Sequence, residues 1–301
     1  MNKATSVIPA HRVRNLTRAS LMLLPVLAWW TTRPLPAWAT MWALSVSLFA
    51  ALKLLTLEDA YRHETSIHGV VSYLLLWPGL NALEFLRRGN EPRSNPKAGE
   101  FVFAIAKMSG GIAALSWAVR HVQMYPPMVT GWVGMVGIIF ILHFGLLHVI
   151  SWLWRRAGVN APPLMRAPIA ADSLASFWGG RWNSAFADVA RRFLFKPTVR
   201  HLGLVGSGGL VFLVSGIVHE LVISLPARGG WGGPTLYFLL QGAGIAVEKS
   251  TFGKRLCLDR NVRGWGWAFM FTAVPLPLLF HPPFVHHVIV PFLVTLNSFL
   301  S

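Results

Sequence analysis

"VGMVGIIFILHFGLLHVISWLW", residues 133–154, contains no lysine, arginine or carboxylate, and its polar positions do not alternate with apolar ones. An α-helix needs about 20 largely apolar residues to cross the ~30 Å hydrocarbon core of a bilayer. A transmembrane β-barrel would instead show short segments with a period of two. The stretch therefore reads as part of a membrane-spanning helix over 128–154. Working outward, comparable runs fall at 19–33, 37–57, 101–119, 203–225, 234–249, 265–281 and 284–300. With 54% hydrophobic residues, 14 tryptophans and 13% charged residues, the chain is too apolar for a soluble domain of its length. The expected fold is all-α, a polytopic transmembrane bundle of about eight or nine spans forming one domain over 1–301.

The ninth apolar stretch, "GVVSYLLLWPGLNALEFL" at 69–86, carries Pro78, Gly79, Asn81 and Glu84 in its second half. Lysine and arginine collect in cytoplasmic loops, and this bias tests whether the stretch crosses. If it stays interfacial or re-entrant, the N-terminus (Lys3, Arg12, Arg14, Arg18) shares one side with 58–100 (Arg62, Arg87, Arg88, Arg93, Lys97), 155–202 and 250–264. The opposite side then keeps only Arg33, Arg120 and Arg228. That asymmetry favours the non-crossing reading with a cytoplasmic N-terminus. The net charge of +16 is thus read as orientation and contact with anionic lipid, not as nucleic-acid binding. The N-terminal apolar run lacks a small-residue cleavage site before Trp29 and Trp30, so it reads as a retained span. Short loops and the absence of a targeting peptide point to a bacterial plasma membrane. A single cysteine, Cys257, excludes an intramolecular disulfide framework.

Two places break the apolar pattern. The first is the long cytoplasmic loop 155–202, whose "ADSLASFWGGRWNSAFADVARRFLFKPTV" (171–199) mixes aromatic rings with cations. Such a segment suits an amphipathic helix lying at the membrane interface, interrupted at Gly179 and Gly180. The second is the span 203–225, where "GSGGLVFLVSGIVHELVISL" (206–225) places His219 and Glu220 among apolar residues. Ionisable groups inside a span are costly and mark function by default. His219 shares a helical face with Ser215 and Gly216, small residues that let a helix or a substrate approach. Glu220 points about 100° away and requires a basic or hydrogen-bonding partner. An imidazole among apolar residues is suited to accept a proton as a general base. It is equally suited to bond a neighbouring helix, and the residues alone leave both readings open.

The remaining chemistry-bearing residues form no recognised constellation. His143 and His148 lie about 140° apart on a helix and cannot share a metal from one face. His281, His286 and His287 in "HPPFVHH" read as an interfacial turn. The His219-Glu220 pair lacks the second histidine of a zinc protease, since residue 223 is isoleucine. No metal site and no bound cofactor are expected.

"SFWGGRWN" at 176–183 and "VSGIVHEL" at 214–221 together resemble the paired signature of the membrane-bound O-acyltransferase (MBOAT) superfamily, in the form of its wax synthase branch. "YLLLWPGLNA" at 73–82 is similar to a further segment of that branch. The resemblance implies that His219 is the catalytic histidine and that Asn183 is the asparagine ending the F-W-x-x-x-W-N motif. Two positions depart from the branch: Ser176 stands where an acidic residue is usual, and Gly180-Arg181 where two arginines are. The implied activity is transfer of a long acyl chain from acyl-CoA, a co-substrate, to a lipid or other hydroxyl acceptor, most simply a fatty alcohol. A sterol, diglyceride, glycan or secondary metabolite is an alternative acceptor. Arg181 is then a contact for the CoA phosphates. Phe177, Trp178 and Trp182 guide the acyl chain, and Ser215 and Glu220 flank the substrate beside His219. Rival classes are a proton-coupled transporter and a non-catalytic lipid-binding protein. Membrane lipids are the expected surroundings, and the sequence leaves the oligomeric state open.

Overall fold

The computed structural model describes residues 10–60, 66–87 and 95–300. Lys3, Arg62, Arg88 and Arg93 lie outside the described residues, as do the side chains of Arg12 and Arg14. The described residues are mostly helical and contain no strand. In chain order the helices are α1 (Ala10–Thr32), α2 (Ala37–Ala60), α3 (Ile67–Leu76), α4 (Ala82–Leu86), α5 (Ala98–Arg120) and α6 (Pro127–Arg156). After a long loop come α7 (Leu174–Ser176), α8 (Ser184–Ala227), α9 (Gly233–Lys249), α10 (Thr251–Arg255), α11 (Asn261–Ala273), α12 (Leu276–Leu279) and α13 (Pro282–Leu300).

Five stretches among the described residues are long and apolar enough to cross a bilayer: Ala37–Glu58, α5, α6, α8 and α13. The apolar runs at 234–249 and 265–281 resolve differently. The first forms the 17-residue α9, about 26 Å long. The second is divided after Ala273, where Pro275 precedes the short α12. The stretch 69–86 is also broken. Ser66 caps α3 by accepting from the Gly69 amide at 3.1 Å, and the ten-residue helix ends before Trp77-Pro78. Asn81 then caps α4 through the Glu84 amide at 3.2 Å. Neither piece is long enough to cross alone.

The long loop holds less irregular chain than its composition suggests. From Ser184 the backbone is already helical and continues through α8 to Ala227, so that residues 184–202 join the span at 203 instead of forming a separate segment. The bend comes at Gly203, whose φ of 66° and ψ of −177° only glycine adopts readily. α8 then packs along α9. A Cβ on Gly216 would lie 2.7 Å from the Thr235 Cα, so glycine sets that approach.

Two cores result. One gathers Val119, Met135, Ile223, Tyr237, Phe238, Val285, Val288 and Leu293 from α5, α6, α8, α9 and α13. The other gathers Tyr73, Trp77, Leu80 and Phe85 of the broken segment with Ala161 and Leu164 of the loop and Ala185 and Val189 of α8. Large apolar side chains such as Leu75, Val102, Leu204, Val205 and Phe299 remain on the outer faces, as a lipid-facing surface requires.

Candidate active site

His219 lies near the C-terminal end of α8, immediately before a π-turn at Glu220–Ser224. Such turns insert a residue into the helix and recur at functional sites. Its Nδ1 is 2.7 Å from the Ser215 carbonyl oxygen. A carbonyl only accepts, so Nδ1 carries the hydrogen and Nε2 presents a lone pair. No other hydrogen bond is made by the ring among the described residues. Ser215 acts through its carbonyl, since its hydroxyl donates back to Val211 at 2.9 Å. The His219 ring packs against Phe238 of α9, with centroids 4.4 Å apart.

The F-W-x-x-x-W-N segment approaches the same place. α7 is capped twice: the Ser173 hydroxyl oxygen accepts from the Ser176 amide, and the buried Glu248 carboxylate accepts from the amides of Leu174 and Ala175 at 2.6 and 3.3 Å. Phe177–Arg181 then forms a single π-turn. The Trp178 indole donates to the Gln241 side-chain oxygen at 3.2 Å and packs on Phe238 at 5.6 Å. Phe177 stacks on Trp182 at 5.7 Å and 10° between planes, and Trp182 stacks on His143 at 6.2 Å and 14°. A continuous chain of ring contacts therefore runs from His219 through Phe238, Trp178, Phe177 and Trp182 to His143. The expected break at Gly179 and Gly180 occurs instead at Asn183, where the backbone is left-handed (φ 43°, ψ 65°).

That conformation is tied down from the loop. The amides of Asn183 and Ser184 reach the Met165 sulfur at 3.2 Å and the Leu164 carbonyl at 2.9 Å, and the Arg166 amide donates to the Arg181 carbonyl at 2.8 Å. The Asn183 side-chain amide itself makes no hydrogen bond among the described residues. Asn183 is thus half-buried, with a left-handed backbone that asparagine tolerates better than most residues and a side-chain amide left unengaged. The Arg181 guanidinium lies over the loop carbonyls of Arg166 and Ala167 at 3.4 and 3.5 Å, contacts weak enough for an anion to displace.

Glu220 has a different place. Its Oε1 accepts from the Gly232 and Thr235 amides, both at 3.0 Å, and from the Thr235 hydroxyl at 2.9 Å. It caps the N-terminus of α9, where a carboxylate also meets the positive end of the helix dipole. The partner that Glu220 required is thus a helix end. The stretch from His281 to His287, expected as an interfacial turn, forms the start of α13, with His281 at its N-cap. His281 accepts from the Phe284 amide at 3.1 Å, and the His287 ring bonds the Ala227 carbonyl at 2.8 Å.

Three site residues escaped the sequence reading: Phe238, Gln241 and Glu248, all on one face of α9. Gln241 is fully buried and also donates to the Phe271 carbonyl at 2.7 Å. The signal for Gln241 and Glu248 was present, since both are polar residues inside an apolar run, the rule that singled out His219.

Residues 161–240 match the Membrane bound O-acyl transferase family. The match begins in the loop that holds Asn183 and ends on α9 just past Phe238, so it contains the motif, His219 and the ring between them. Residues 176–183 and 214–221, two of the three stretches that carry the resemblance read from the sequence, lie within the match, and 73–82 lies outside it. The chain is 29% identical over 220 residues to "Probable long-chain-alcohol O-fatty-acyltransferase 9" of Arabidopsis thaliana, covering 64% of this chain and 61% of the relative. It is 30% identical over 171 residues to the "Long-chain-alcohol O-fatty-acyltransferase" of Simmondsia chinensis, covering 50% and 48%. To "Acyl-CoA--sterol O-acyltransferase 1" of Arabidopsis thaliana it is 26% identical over 132 residues, covering 40% and 38%. The chain spans about half the length of the curated relatives it matches. These relatives are plant proteins and lend no support to the bacterial plasma membrane expected from the sequence.

Proposed function

We propose that the protein is a membrane O-acyltransferase that moves a long acyl chain from acyl-CoA to a hydroxyl group, with a fatty alcohol as the preferred acceptor and a wax ester as product. The observation that carries this reading is His219: a ring whose Nδ1–H is held by Ser215, whose Nε2 has a free lone pair, and which is joined by ring contacts to the motif segment. The acceptor hydroxyl gives its proton to Nε2 while its oxygen attacks the thioester carbonyl carbon. The new C–O bond forms, the tetrahedral intermediate collapses with cleavage of the C–S bond, and the CoA thiolate takes the proton from the imidazolium. No acyl-enzyme is required.

Because Ser215 already orients the imidazole, the unengaged Asn183 amide is better suited to donate a hydrogen bond to the oxyanion than to hold His219. The rings of Phe177, Trp178 and Trp182 supply an apolar path for the acyl chain. Arg181, with Arg166 beside it on the same loop, supplies charge for the CoA phosphates from the basic, cytoplasmic face. A sterol acceptor is the second reading, favoured by the similarity to a protein named as a sterol acyltransferase.

The test is transfer of labelled palmitate from palmitoyl-CoA by the full chain in bilayers, offered a fatty alcohol, a sterol and a diglyceride together. Wild type is expected to form wax ester, and His219→Ala to lose activity by about 100-fold to 10,000-fold while remaining inserted. Label in the steryl ester would select the second reading. Wild type that neither forms ester nor releases CoA overturns both.

A further inference from the structure

α2 carries a lysine whose partners are unusual for a membrane-embedded cation. Lys53 is 2% exposed, and its ammonium donates to the carbonyl oxygens of Tyr73 at 2.7 Å, Gly79 at 2.7 Å and Trp77. Its three hydrogens are thereby used. The same nitrogen lies 3.6 Å from the centroid of the Tyr73 ring, whose hydroxyl bonds Thr56 at 2.7 Å one turn further along α2. Its hydrogen-bond acceptors are carbonyl dipoles and not a carboxylate. Those carbonyls belong to the end of α3 and the break that follows, where Pro78 stops the helix and leaves acceptors without intrahelical donors. The C-terminal end of a helix also favours a cation.

The broken segment is anchored equally firmly on its other side. Glu84 accepts from the Asn160 side chain at 2.9 Å, the Trp154 indole donates to the Leu76 carbonyl at 3.2 Å, and the Phe85 ring meets Trp154 edge-on with centroids 5.0 Å apart. Trp77, Leu80 and Phe85 share a core with Ala161 and Leu164 of the loop and with Ala185 and Val189 just past the motif. Leu164 and Met165 in turn receive the amides of Ser184 and Asn183. An unbroken route of buried contacts leads from one ammonium group to the left-handed backbone of Asn183.

We propose that Lys53 is a positioning residue, a tethered cation seated in the carbonyl cage of residues 73, 77 and 79 that fixes the loop holding Asn183 and so the geometry of acyl transfer. Its consequence for catalysis rests on the acyltransferase reading; its consequence for the backbone at 183 does not. The two are separated by measuring both amide exchange and turnover on the full chain in bilayer nanodiscs.

In Lys53→Met, hydrogen–deuterium exchange across 181–186 is expected to speed up about tenfold while α5 keeps its protection. The ester assay is expected to show kcat down about 10-fold to 100-fold with KM for acyl-CoA within about twofold, the pattern of a misplaced group rather than a lost binding contact. Lys53→Ala empties the cage, and ethylammonium, which offers N–H donors, is expected to restore both readouts, whereas tetramethylammonium, which offers none, restores neither. Wild-type exchange at 181–186 in Lys53→Met, or equal recovery with both ions, overturns the proposal. If Lys53→Met does not fold, Lys53→Ala purified with ethylammonium carries the test. Exchange at 181–186 that rises on removing the ion before α5 exchanges supports the proposal, and simultaneous exchange throughout the chain overturns it. Wild type that makes no ester would remove the acyltransferase reading and leave the exchange result standing.

Discussion

At the scale of single residues, Asn183 separates shape from chemistry. Its left-handed φ is one that glycine adopts without strain and alanine does not. Asn183→Gly is therefore expected to keep the thermal midpoint near wild type while lowering kcat about 100-fold or more through loss of the amide. Asn183→Ala should lose activity similarly and in addition about 1 kcal/mol of stability. Equal activity in Asn183→Gly and wild type, measured as ester formed per folded protein, would remove the amide from the mechanism. Glu220 should behave in the opposite way. Glu220→Ala deletes the cap of α9 and is expected to cost about 1–2 kcal/mol in thermal unfolding, with KM for acyl-CoA unchanged. All three residues stood out in the sequence, His219 and Asn183 through the motifs and Glu220 as a carboxylate in an apolar run. The partner of Glu220 did not, because Gly232 and Thr235 meet it only through the return of the chain into α9.

At the scale of elements, the seam between α8 and α9 decides whether His219 meets Phe238. Gly216 is a point of close approach, and a Cβ there would press first on the Thr235 backbone. Gly216→Val is accordingly expected to destabilise by about 1–3 kcal/mol and to lower activity by separating the two helices, as read by thermal unfolding alongside the ester assay. The break in 69–86 was visible because Pro78, Gly79 and Asn81 are strong local punctuation. The continuity of 184–202 with the span at 203 was not, because Arg191, Arg192, Lys196 and Pro197 interrupt the apolar pattern that marks a span, and the segment read as a separate surface helix. There the helical state is supported by tertiary contact, with Ala185 and Val189 packed beneath the Trp77 cluster.

At the scale of the whole molecule, one cluster of charge is paired between α5 and α6. Lys107 of α5 donates to His148 Nδ1 at 3.2 Å, His148 Nε2 donates to Glu100 at 2.8 Å, and Arg155 bonds the same carboxylate. Glu100→Gln should loosen α5 from α6 and cost about 1–3 kcal/mol in thermal unfolding, with little change in KM. The count of spans was the least legible property, since hydropathy does not tell a helix facing lipid from one that faces protein. α9 is apolar, yet it buries Tyr237, Phe238, Gln241 and Glu248 against its neighbours. The 44 residues of α8 raise a related matter of length. As a straight rod they would measure about 66 Å, more than twice the thickness of the hydrocarbon core. The joint at Gly203 lets one limb begin at Asn183 while the other carries His219 across the bilayer, and no neighbouring atom comes within 4 Å of where a Cβ at that joint would sit. On the acyltransferase reading, the ester assay repeated in bilayers of shorter and longer acyl chains is expected to give different turnover, because a change in hydrophobic thickness alters the tilt of the limb that carries His219.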